Sequence, residues 1–291
     1  MYEILLNIIA PVVGTAGLGY FWARTGRVFH TETVTAIVTN IGAPMLIFST
    51  LAGLEMALGS FLEFAFLAFL AAVLFGAVGL LVLWLCRLDI RDYLPGIMFP
   101  NVGNMGLPLC MFAFGEAGLA LGIAFFTVFS TLQLTVGIWL SSGTTSLAQL
   151  LRTPLIYAVF IGLGVKALGI SVPLSIMNTT SLIGSLTIPL MLFALGVSLA
   201  GLSLRHIPLA TGLSLLRLML GFAVGYALAT LFALDGIARG VFILECCMPV
   251  AVFNYLFSLR YHRAHSHVAG MVLISTLLSF ATLPVLLLYL L

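Results

Sequence analysis

The stretch Phe99-Pro100-Asn101-Val102-Gly103-Asn104-Met105-Gly106-Leu107-Pro108 decides the fold, because it interrupts an otherwise apolar helical segment. It contains two prolines, two glycines and two asparagines. A proline removes a backbone donor and clashes with the preceding turn, and a glycine inside a helix costs roughly 1 kcal/mol relative to alanine. The stretch therefore predicts a break in the helix, where main-chain groups are left for other partners.

The rest of the chain is typical of a membrane protein. Of its 291 residues, 62% are hydrophobic and 7% are charged, whereas a soluble domain is about half apolar and about a quarter charged. This composition also excludes a disordered chain, and four cysteines in or beside apolar runs do not indicate a secreted disulfide scaffold. At about 20 residues per span, the chain has room for ten transmembrane helices with short connections. The predicted segments are 4–23, 33–53, 61–86, 92–113, 117–140, 154–170, 173–200, 207–232, 236–260 and 267–290.

The basic residues predict the orientation of these segments. Eight of the eleven Lys and Arg residues follow odd-numbered segments, and an excess of basic residues marks the cytoplasmic side. These eight are Arg24, Arg27, Arg87, Arg91, Arg152, Arg205, Arg260 and Arg263. Both termini are therefore predicted to be non-cytoplasmic, with the protein integral to the cell membrane. The arginines are spread thinly over the connections, so no nucleic-acid partner is expected.

The two halves of the chain resemble each other. Short matches recur at an offset near 145 residues: 44–48 with 189–193, 77–79 with 223–225, 107–108 with 248–249, and Gly122 with Gly270. We expect a duplication with halves 1–145 and 146–291, each of five segments. Because five is odd, the second half enters the membrane from the opposite side. Inverted repeats of this kind are a common plan of secondary transporters.

A second break is predicted in segment 236–260. There Glu245-Cys246-Cys247-Met248-Pro249-Val250 contains a proline, and Asn254 follows one turn later. Bare main-chain groups in hydrocarbon cost several kcal/mol each, so both breaks need protein, water or ligand as partners. Two breaks that meet at mid-membrane would direct half-helix N-termini at an anion and offer carbonyl oxygens to a cation. The pattern predicts a site for an anionic solute, a small cation, or both.

Two ionisable residues are predicted deep in the membrane. Glu245 lies about nine residues into its segment and Arg217 about ten residues into the one before, which is roughly 14 Å at 1.5 Å per residue. Charges at that depth pair with each other, bind an ion or face water. We therefore consider two roles, a structural Glu245–Arg217 salt bridge and a cation or proton site at Glu245. In the second role Arg217 would pair with Glu245 or face the anion.

A sodium ion at this site would need oxygen ligands. Carboxylate, amide, hydroxyl and break carbonyl groups could supply them, while hydroxyls inside helices also serve ordinary packing. The predicted ion-coupling residues are Glu245, Arg217, Asn101, Asn104, Thr127, Ser130, Thr131 and Met248, with Glu245 as the sodium ligand. Residues after the matched prolines either line the site or only pack; these are Met45, Phe48, Ser49, Leu190, Phe193 and Ala194.

The chain resembles a known family. Residues 99–109 resemble the fourth-span signature of the auxin efflux carrier family, and residues 248–291, with Leu-Leu-Ser-Phe-Ala-Thr-Leu-Pro-Val at 277–285, resemble its C-terminus. Pro189–Gly201 and the region of Arg217 are also similar. By this likeness the chain is a short prokaryotic-type member of ten helices, distantly similar to the bile-acid:sodium symporters.

The resemblance implies roles for domains and residues. It implies a core transport domain (helices 3–5 and 8–10) that moves against a panel domain (helices 1, 2, 6 and 7), and a homodimer through the panel domain. It also implies that Asn101 matches the family's carboxylate-contacting asparagine and that Glu245 matches a sodium-binding glutamate of the symporters. Two features depart from the plant carriers: the connection 141–153 is short, and Leu155 replaces a polar group early in helix six.

Other function classes are less consistent with the sequence. All five histidines lie in or near predicted cytoplasmic connections, so no buried Ser–His dyad can form and an enzyme is not expected. A channel or a non-transporting sensor on a transporter scaffold is the alternative. A channel would show a continuous polar stripe, whereas polarity here is concentrated at the two breaks.

Together these observations predict an all-α, ten-helix inverted-repeat carrier with broken, crossing helices 4 and 9. It would move a small organic anion, a carboxylate by the resemblance, through elevator-like or rocking alternating access. The alternatives for coupling are symport of sodium or protons and uncoupled uniport, with symport the preferred one. The expected partners are the solute and the lipid bilayer, and no cofactor is expected apart from a bound sodium ion. The predicted substrate-binding residues are Asn101, Gly103, Asn104, Gly106, Pro108, Pro249, Asn254, Met45 and Phe48.

Overall fold

A computed structural model describes residues 2–53, 57–143, 153–202 and 207–291. Arg152 and Arg205, which contribute to the predicted orientation, lie outside these residues. The helices are α1 (Tyr2–Arg24), α2 (Thr31–Ile37), α3 (Ala43–Gly53), α4 (Leu58–Leu85), α5 (Ile90–Met98), α6 (Leu107–Leu132), α7 (Ile138–Ser142), α8 (Pro154–Ala167), α9 (Leu174–Ser185), α10 (Thr187–Gly201), α11 (Ile207–Leu231), α12 (Gly236–Cys246), α13 (Val252–Arg260) and α14 (His265–Leu290). Three π-helical turns adjoin them, at Val38–Gly42, Val102–Gly106 and Gln133–Gly137.

Seven helices in the described ranges are long and apolar enough to cross a membrane. They are Glu3–Arg24, Thr31–Gly53, Leu58–Leu85, Val102–Ser142, Leu174–Gly201, Ile207–Leu231 and His265–Leu290. The predicted all-helical membrane protein is confirmed at this level. Of the remaining predicted segments, 154–170 contains the shorter helix α8, 236–260 contains α12 and α13, and 92–113 begins with α5.

The long helical run Val102–Ser142 contains a kink at Gly115. The backbone there leaves helical geometry, with φ 66° and ψ −156°. A positive φ is readily adopted only by glycine, which has no Cβ to clash. The kink lies between the predicted segments 92–113 and 117–140, so two helical pieces meet at Gly115, one in each predicted segment.

The helices pack in two groups. In the first, α1 lies along α10, and α3 lies against α8 and α9. Close approach in this group depends on glycine, since a Cβ on Gly196 would overlap the Ala16 carbonyl and a Cβ on Gly19 would overlap that of Phe193. We call this first group, α1–α3 with α8–α10, the outer group.

The second group contains the interrupted helices and the aromatic core. In it α4 packs on α5 and α6, while α11 packs on α12 and α14. Phe125 stacks on Phe129 with ring centroids 4.6 Å apart and meets Phe242 edge-on at 5.6 Å. Phe242 belongs to the short helix α12, so these ring contacts attach α12 to α6. We call this second group, α4–α7 with α11–α14, the inner group.

Two of the inner helices are interrupted, and the interruptions lie side by side. Pro100 and Val250 form an isolated antiparallel bridge. The Asn101 N–H donates to the Pro249 carbonyl at 2.7 Å, and the Ala251 N–H donates to the Phe99 carbonyl at 3.2 Å. Each break therefore supplies main-chain partners for the other, which is how irregular backbone persists in an apolar interior.

The first break is narrower than the sequence predicts. Phe99 has extended backbone angles, Val102–Gly106 is a π-helical turn, and a regular helix begins at Leu107. Pro108 lies in the first turn of that helix, where a missing N–H costs little. The residue that faces the second break is therefore Pro100 and not Pro108.

Candidate functional site

A cavity of about 350 Å³ lies beside the two breaks. Its wall comes from both helix groups: α2, α3, α8, α10 and one π-helical turn on one side, and α6, α13, two π-helical turns and the breaks on the other. The polar lining residues are Thr35, Thr39, Asn40, Asn101, Asn104, Ser130, Gln133 and Thr153. The apolar or glycine lining residues are Val34, Val38, Ala43, Pro100, Val102, Gly103, Phe126, Leu134, Leu155, Leu190, Met191, Ala194, Ala251, Phe253 and Phe257. None of these described lining residues is charged, and most of them are apolar.

Asn101 is the buried polar side chain of the cavity that lacks a partner. It is 4% exposed, and its amide nitrogen Nδ2 has no hydrogen-bond partner within the described ranges. Its main chain is fully used, because the N–H donates to Pro249 and the carbonyl accepts from Met105 and Gly106. A buried donor without an acceptor destabilises the protein by about 1–3 kcal/mol, so a ligand that supplies an acceptor would remove this unfavourable free energy.

Asn254, the other asparagine predicted at the breaks, is fully satisfied. Its Nδ2 donates to the Phe99 carbonyl at 3.0 Å, and its Oδ1 accepts from Gln133 Nε2 at 2.9 Å. It does not line the cavity. Its contacts join the start of α13 to the first break and to the π-helical turn after α6, which is a structural arrangement.

The cavity also meets the N-terminal ends of two helical segments. Val102 and Gly103 begin the π-helical turn that leads into α6, and Ala251 and Phe253 stand at the start of α13. The first N–H groups of a helix have no partner within it and carry partial positive charge. Together with the Asn101 amide, these ends favour an anion in a cavity whose described lining residues include no cation.

Glu245 lies apart from this cavity, fully buried in the last turn of α12. Its Oε1 is 3.3 Å from the Cys110 thiol, and its Oε2 has no hydrogen-bond partner among the described residues. The carboxyl group lies directly over Gly106, where an added Cβ would be 2.6 Å from Cδ. It also lies close to Gly122, where an added Cβ would be 3.3 Å from Oε1. Two glycines thus make the space that this carboxyl group occupies.

Arg217 is also fully buried, but it does not pair with Glu245. Its Nη1 donates to the Ile97 carbonyl at 3.0 Å, its Nε donates to the Met248 carbonyl at 3.4 Å, and its Nη2 donates to the Cys246 carbonyl. The guanidinium also lies 4.2 Å from the centroid of the Phe75 ring. The salt bridge considered from the sequence is therefore not formed, because Arg217 hydrogen-bonds to the carbonyl ends of the two interrupted helices.

The remaining predicted residues are dispersed. Gly103, Asn104 and Ser130 line the cavity, as do Leu190 and Ala194. Several predicted residues do not line it: Gly106, Pro108, Pro249, Met45, Phe48, Thr127, Thr131 and Met248.

Local contacts explain the positions of several of these residues. The Thr127 hydroxyl donates to the Ile123 carbonyl at 2.7 Å, and the Ser49 hydroxyl donates to that of Leu46 at 3.1 Å. Phe193 packs against the Trp22 and Phe29 rings. In the structure these side chains contact their own or neighbouring helices.

Five polar lining residues were not predicted from the sequence: Thr35, Thr39, Asn40, Gln133 and Thr153. The first three belong to α2 and the π-helical turn that follows it, and Gln133 begins the turn after α6. Their signal in the sequence is weak, because single polar residues are common in helices that pack against one another. A polar cluster at 35–40 opposite Gln133 becomes visible only once the helices are placed.

Comparison with known proteins agrees with this architecture. Residues 138–287 match the family described as "Membrane transport protein". An uncharacterized transporter of Methanothermobacter thermautotrophicus is 24% identical over 297 residues, which cover 97% of this chain and 96% of the relative. An uncharacterized transporter of Methanocaldococcus jannaschii is 26% identical over 296 residues, which cover 95% and 96%. The family match spans half of the chain, and the chain therefore belongs to the membrane transport protein family, that of the auxin efflux carriers.

Proposed function

We propose that the protein is a secondary active transporter that carries a small organic anion, a carboxylate, across the membrane by alternating access. The observation that carries this proposal is the Asn101 amide nitrogen, which has no hydrogen-bond partner among the described residues and belongs to a buried residue in the cavity wall at the start of a helical segment. A carboxylate oxygen is the acceptor that this donor lacks. Hydrogen bonds to charged groups are about twice as strong as neutral ones, so one amide and two helix ends suffice for recognition.

The absence of a charged side chain among the described lining residues suits transport of an anion. A fixed arginine would bind a carboxylate tightly and slow its release. Partial charges from N–H groups attract the anion more weakly, and apolar neighbours such as Phe126, Met191 and Phe253 can contact its hydrocarbon part. The cavity therefore favours a small organic acid over an inorganic anion.

Alternating access is supported by the position of the cavity between the two helix groups. The outer group supplies Thr39 and Met191, and the inner group supplies Asn101 and Gln133. Movement of one group against the other would open the cavity to one side of the membrane at a time. We assign the outer group to the panel domain and the inner group to the core transport domain.

An inverted repeat of ten crossings is part of the proposal. Matched glycines have matched packing: a Cβ on Gly79 would lie 3.1 Å from Ile97 Cγ2, and a Cβ on Gly225 would lie 3.3 Å from Ile243 Cα. Both contacts join a long helix to the short helix before a break. The pairing of the breaks through Pro100 and Val250 has the same local symmetry. The short helices α8, α12 and α13, together with α5, complete the ten crossings in this assignment.

A gradient of sodium ions or protons is the energy source in this proposal. Glu245 is the fully buried carboxyl group of the described residues and is the group that a coupled ion would use. A channel or a sensor on the same scaffold is the competing function. The cavity lies between two packed groups of helices and not along a continuous polar stripe, and this position favours a carrier over a channel.

A two-step experiment tests the proposal. Thermal unfolding of the purified protein is first measured with a panel of small organic acids, in sodium and in potassium buffers at two pH values, to find acids that raise the melting temperature. The same acids are then tested in proteoliposomes for saturable uptake and for counterflow. A carrier saturates and shows counterflow, a channel conducts without saturation, and a sensor shows ligand stabilisation without flux. Either of the last two results would contradict the proposed function.

A further inference from the structure

The carbonyl groups at the ends of the interrupted helices converge on Arg217. Ile97 belongs to the last turn of α5, Cys246 ends α12, and Met248 lies in the unwound stretch that follows. Their carbonyls are those left without intrahelical donors, and they carry the partial negative charge of two helix C-termini. In transporters with broken helices, carbonyls of this kind coordinate the coupling cation.

The guanidinium is held in this position by its surroundings. It is fully buried, it lies over the Phe75 ring, and Gly221 one turn later allows close approach. A Cβ on Gly221 would lie 3.2 Å from Arg217 Nη2 and 3.0 Å from the carbonyl carbon of Cys246. A larger residue at position 221 would therefore displace either the guanidinium or the helix end.

The charge of Arg217 is compensated by dipoles and not by a carboxylate. Its three hydrogen bonds all go to main-chain oxygens, and the contacts of the Glu245 carboxyl group are with Cys110, Gly106 and Gly122. A buried cation that donates its hydrogen bonds to carbonyls and lies over an aromatic ring has an environment similar to that of a bound monovalent ion.

We propose that Arg217 is a tethered cation that fills the position of a coupling sodium ion, so that sodium does not bind at the two breaks. The sodium ion implied by the resemblance does not fit the residues present: the converging carbonyls are used by Arg217, and the contacts of Glu245 are a thiol and two glycines. Hard cations require several oxygen ligands, which this arrangement does not leave. The inference rests on the proposed function and removes sodium from its candidate coupling ions. Its main test measures thermal unfolding and does not depend on transport.

The first experiment uses the wild-type protein. Thermal unfolding is measured in sodium chloride, potassium chloride and N-methylglucamine chloride at equal ionic strength. The expected melting temperature is the same in all three salts, and uptake of any transported acid should change by less than about twofold when sodium is replaced. A saturable, sodium-specific rise in melting temperature would overturn the proposal.

The second experiment restores the cation chemically. Arg217→Ala is expected to melt at a lower temperature, and ethylguanidinium should restore much of the loss, whereas N-ethylurea, of similar shape but neutral, should not. Arg217→Lys keeps the charge but not the three donors and should fall between wild type and Arg217→Ala. The matched control is Arg239→Ala, since Arg239 donates to the Tyr289 hydroxyl at the protein surface; its melting temperature should not respond to ethylguanidinium.

Equal rescue by N-ethylurea would show that Arg217 acts by filling space, and this result would overturn the proposal. If Arg217→Ala does not fold, Arg217→Lys and the wild-type salt series decide the question. If no acid is transported by the wild type in any salt, the proposed function fails, but the unfolding measurements still decide whether Arg217 replaces an ion.

Discussion

Alanine substitutions of Asn101 and Asn254 should have different effects: one should weaken binding of the solute, and the other should lower the stability of the protein. Both side chains are buried beside the breaks, but Asn254 makes two hydrogen bonds and the Asn101 amide nitrogen makes none. Asn254→Ala removes two hydrogen bonds of about 0.5–1.5 kcal/mol each, so the free energy of unfolding should fall by about 1–3 kcal/mol. Asn101→Ala removes an unsatisfied donor, so the free energy of unfolding should stay unchanged or rise.

For transport, the order of the two effects should be reversed: Asn101→Ala should weaken binding of the acid more than Asn254→Ala does. A hydrogen bond to a charged ligand is worth about 1.5–3 kcal/mol, which corresponds to a loss of affinity of about 10- to 150-fold for Asn101→Ala. Asn254→Ala removes no lining residue, although it frees the side chain of Gln133, which does line the cavity. Its apparent affinity for the acid should therefore change by less than the apparent affinity of Asn101→Ala.

Two measurements on the same preparations check this pair. Thermal unfolding without ligand gives the stability of each variant, and uptake in proteoliposomes over a range of acid concentrations gives KM. If Asn101→Ala lowers the melting temperature as much as Asn254→Ala, its amide has an internal partner and the reasoning is wrong. If KM of Asn101→Ala equals that of wild type, the residue does not contact the solute.

Three further predictions concern the residues around the breaks. Gly106→Ala places a Cβ 2.6 Å from Glu245 Cδ, so the carboxyl group must move. Transport should be lost and the melting temperature lowered. The control Gly14→Ala, at a position with open space around it, should leave both unchanged in the same assays. Glu245→Gln keeps the shape of the side chain but cannot exchange a proton, so the protein should fold and its uptake should no longer respond to an imposed pH gradient; an unchanged response would return Glu245 to a structural role. Gly103→Ala places a Cβ 2.9 Å from Phe126 Cε2 in the cavity wall, so KM for larger acids should rise more than KM for smaller ones, as a size series in proteoliposomes would reveal.

The helical segments and the two breaks were predictable from the sequence because their causes are local. Proline and glycine act on the turn in which they occur, so the clusters around Pro100 and Pro249 mark the breaks without knowledge of the rest of the chain. The extent of the first break was less predictable. Pro108 has the same backbone chemistry as Pro100, but it stands in the first turn of α6, where the missing donor is not needed.

The composition of the cavity was only partly predictable, because it depends on how distant helices meet. Asn101, Gly103 and Asn104 belong to the break and were expected. Thr39 and Gln133 come from turns that carry no special motif, and the Thr39 hydroxyl already donates to the Thr35 carbonyl at 2.7 Å, as in many ordinary helices. A polar residue satisfied within its own helix gives no indication in the sequence that it also lines a cavity.

The partner of Arg217 was the least predictable feature, although the reason for the observed choice is physical. A charge buried in a membrane needs compensation, and the sequence offered Glu245 at a similar predicted depth. A carboxylate accepts at most two of the five N–H groups of a guanidinium and would leave the carbonyls of α5 and α12 without donors. Three converging carbonyls satisfy more of the guanidinium, and the guanidinium in turn satisfies two helix ends that hydrocarbon cannot. Two interrupted helices thus leave carbonyl groups at their C-terminal ends that favour a cation. These carbonyl groups explain the buried arginine on a neighbouring helix better than an acid at a similar depth does.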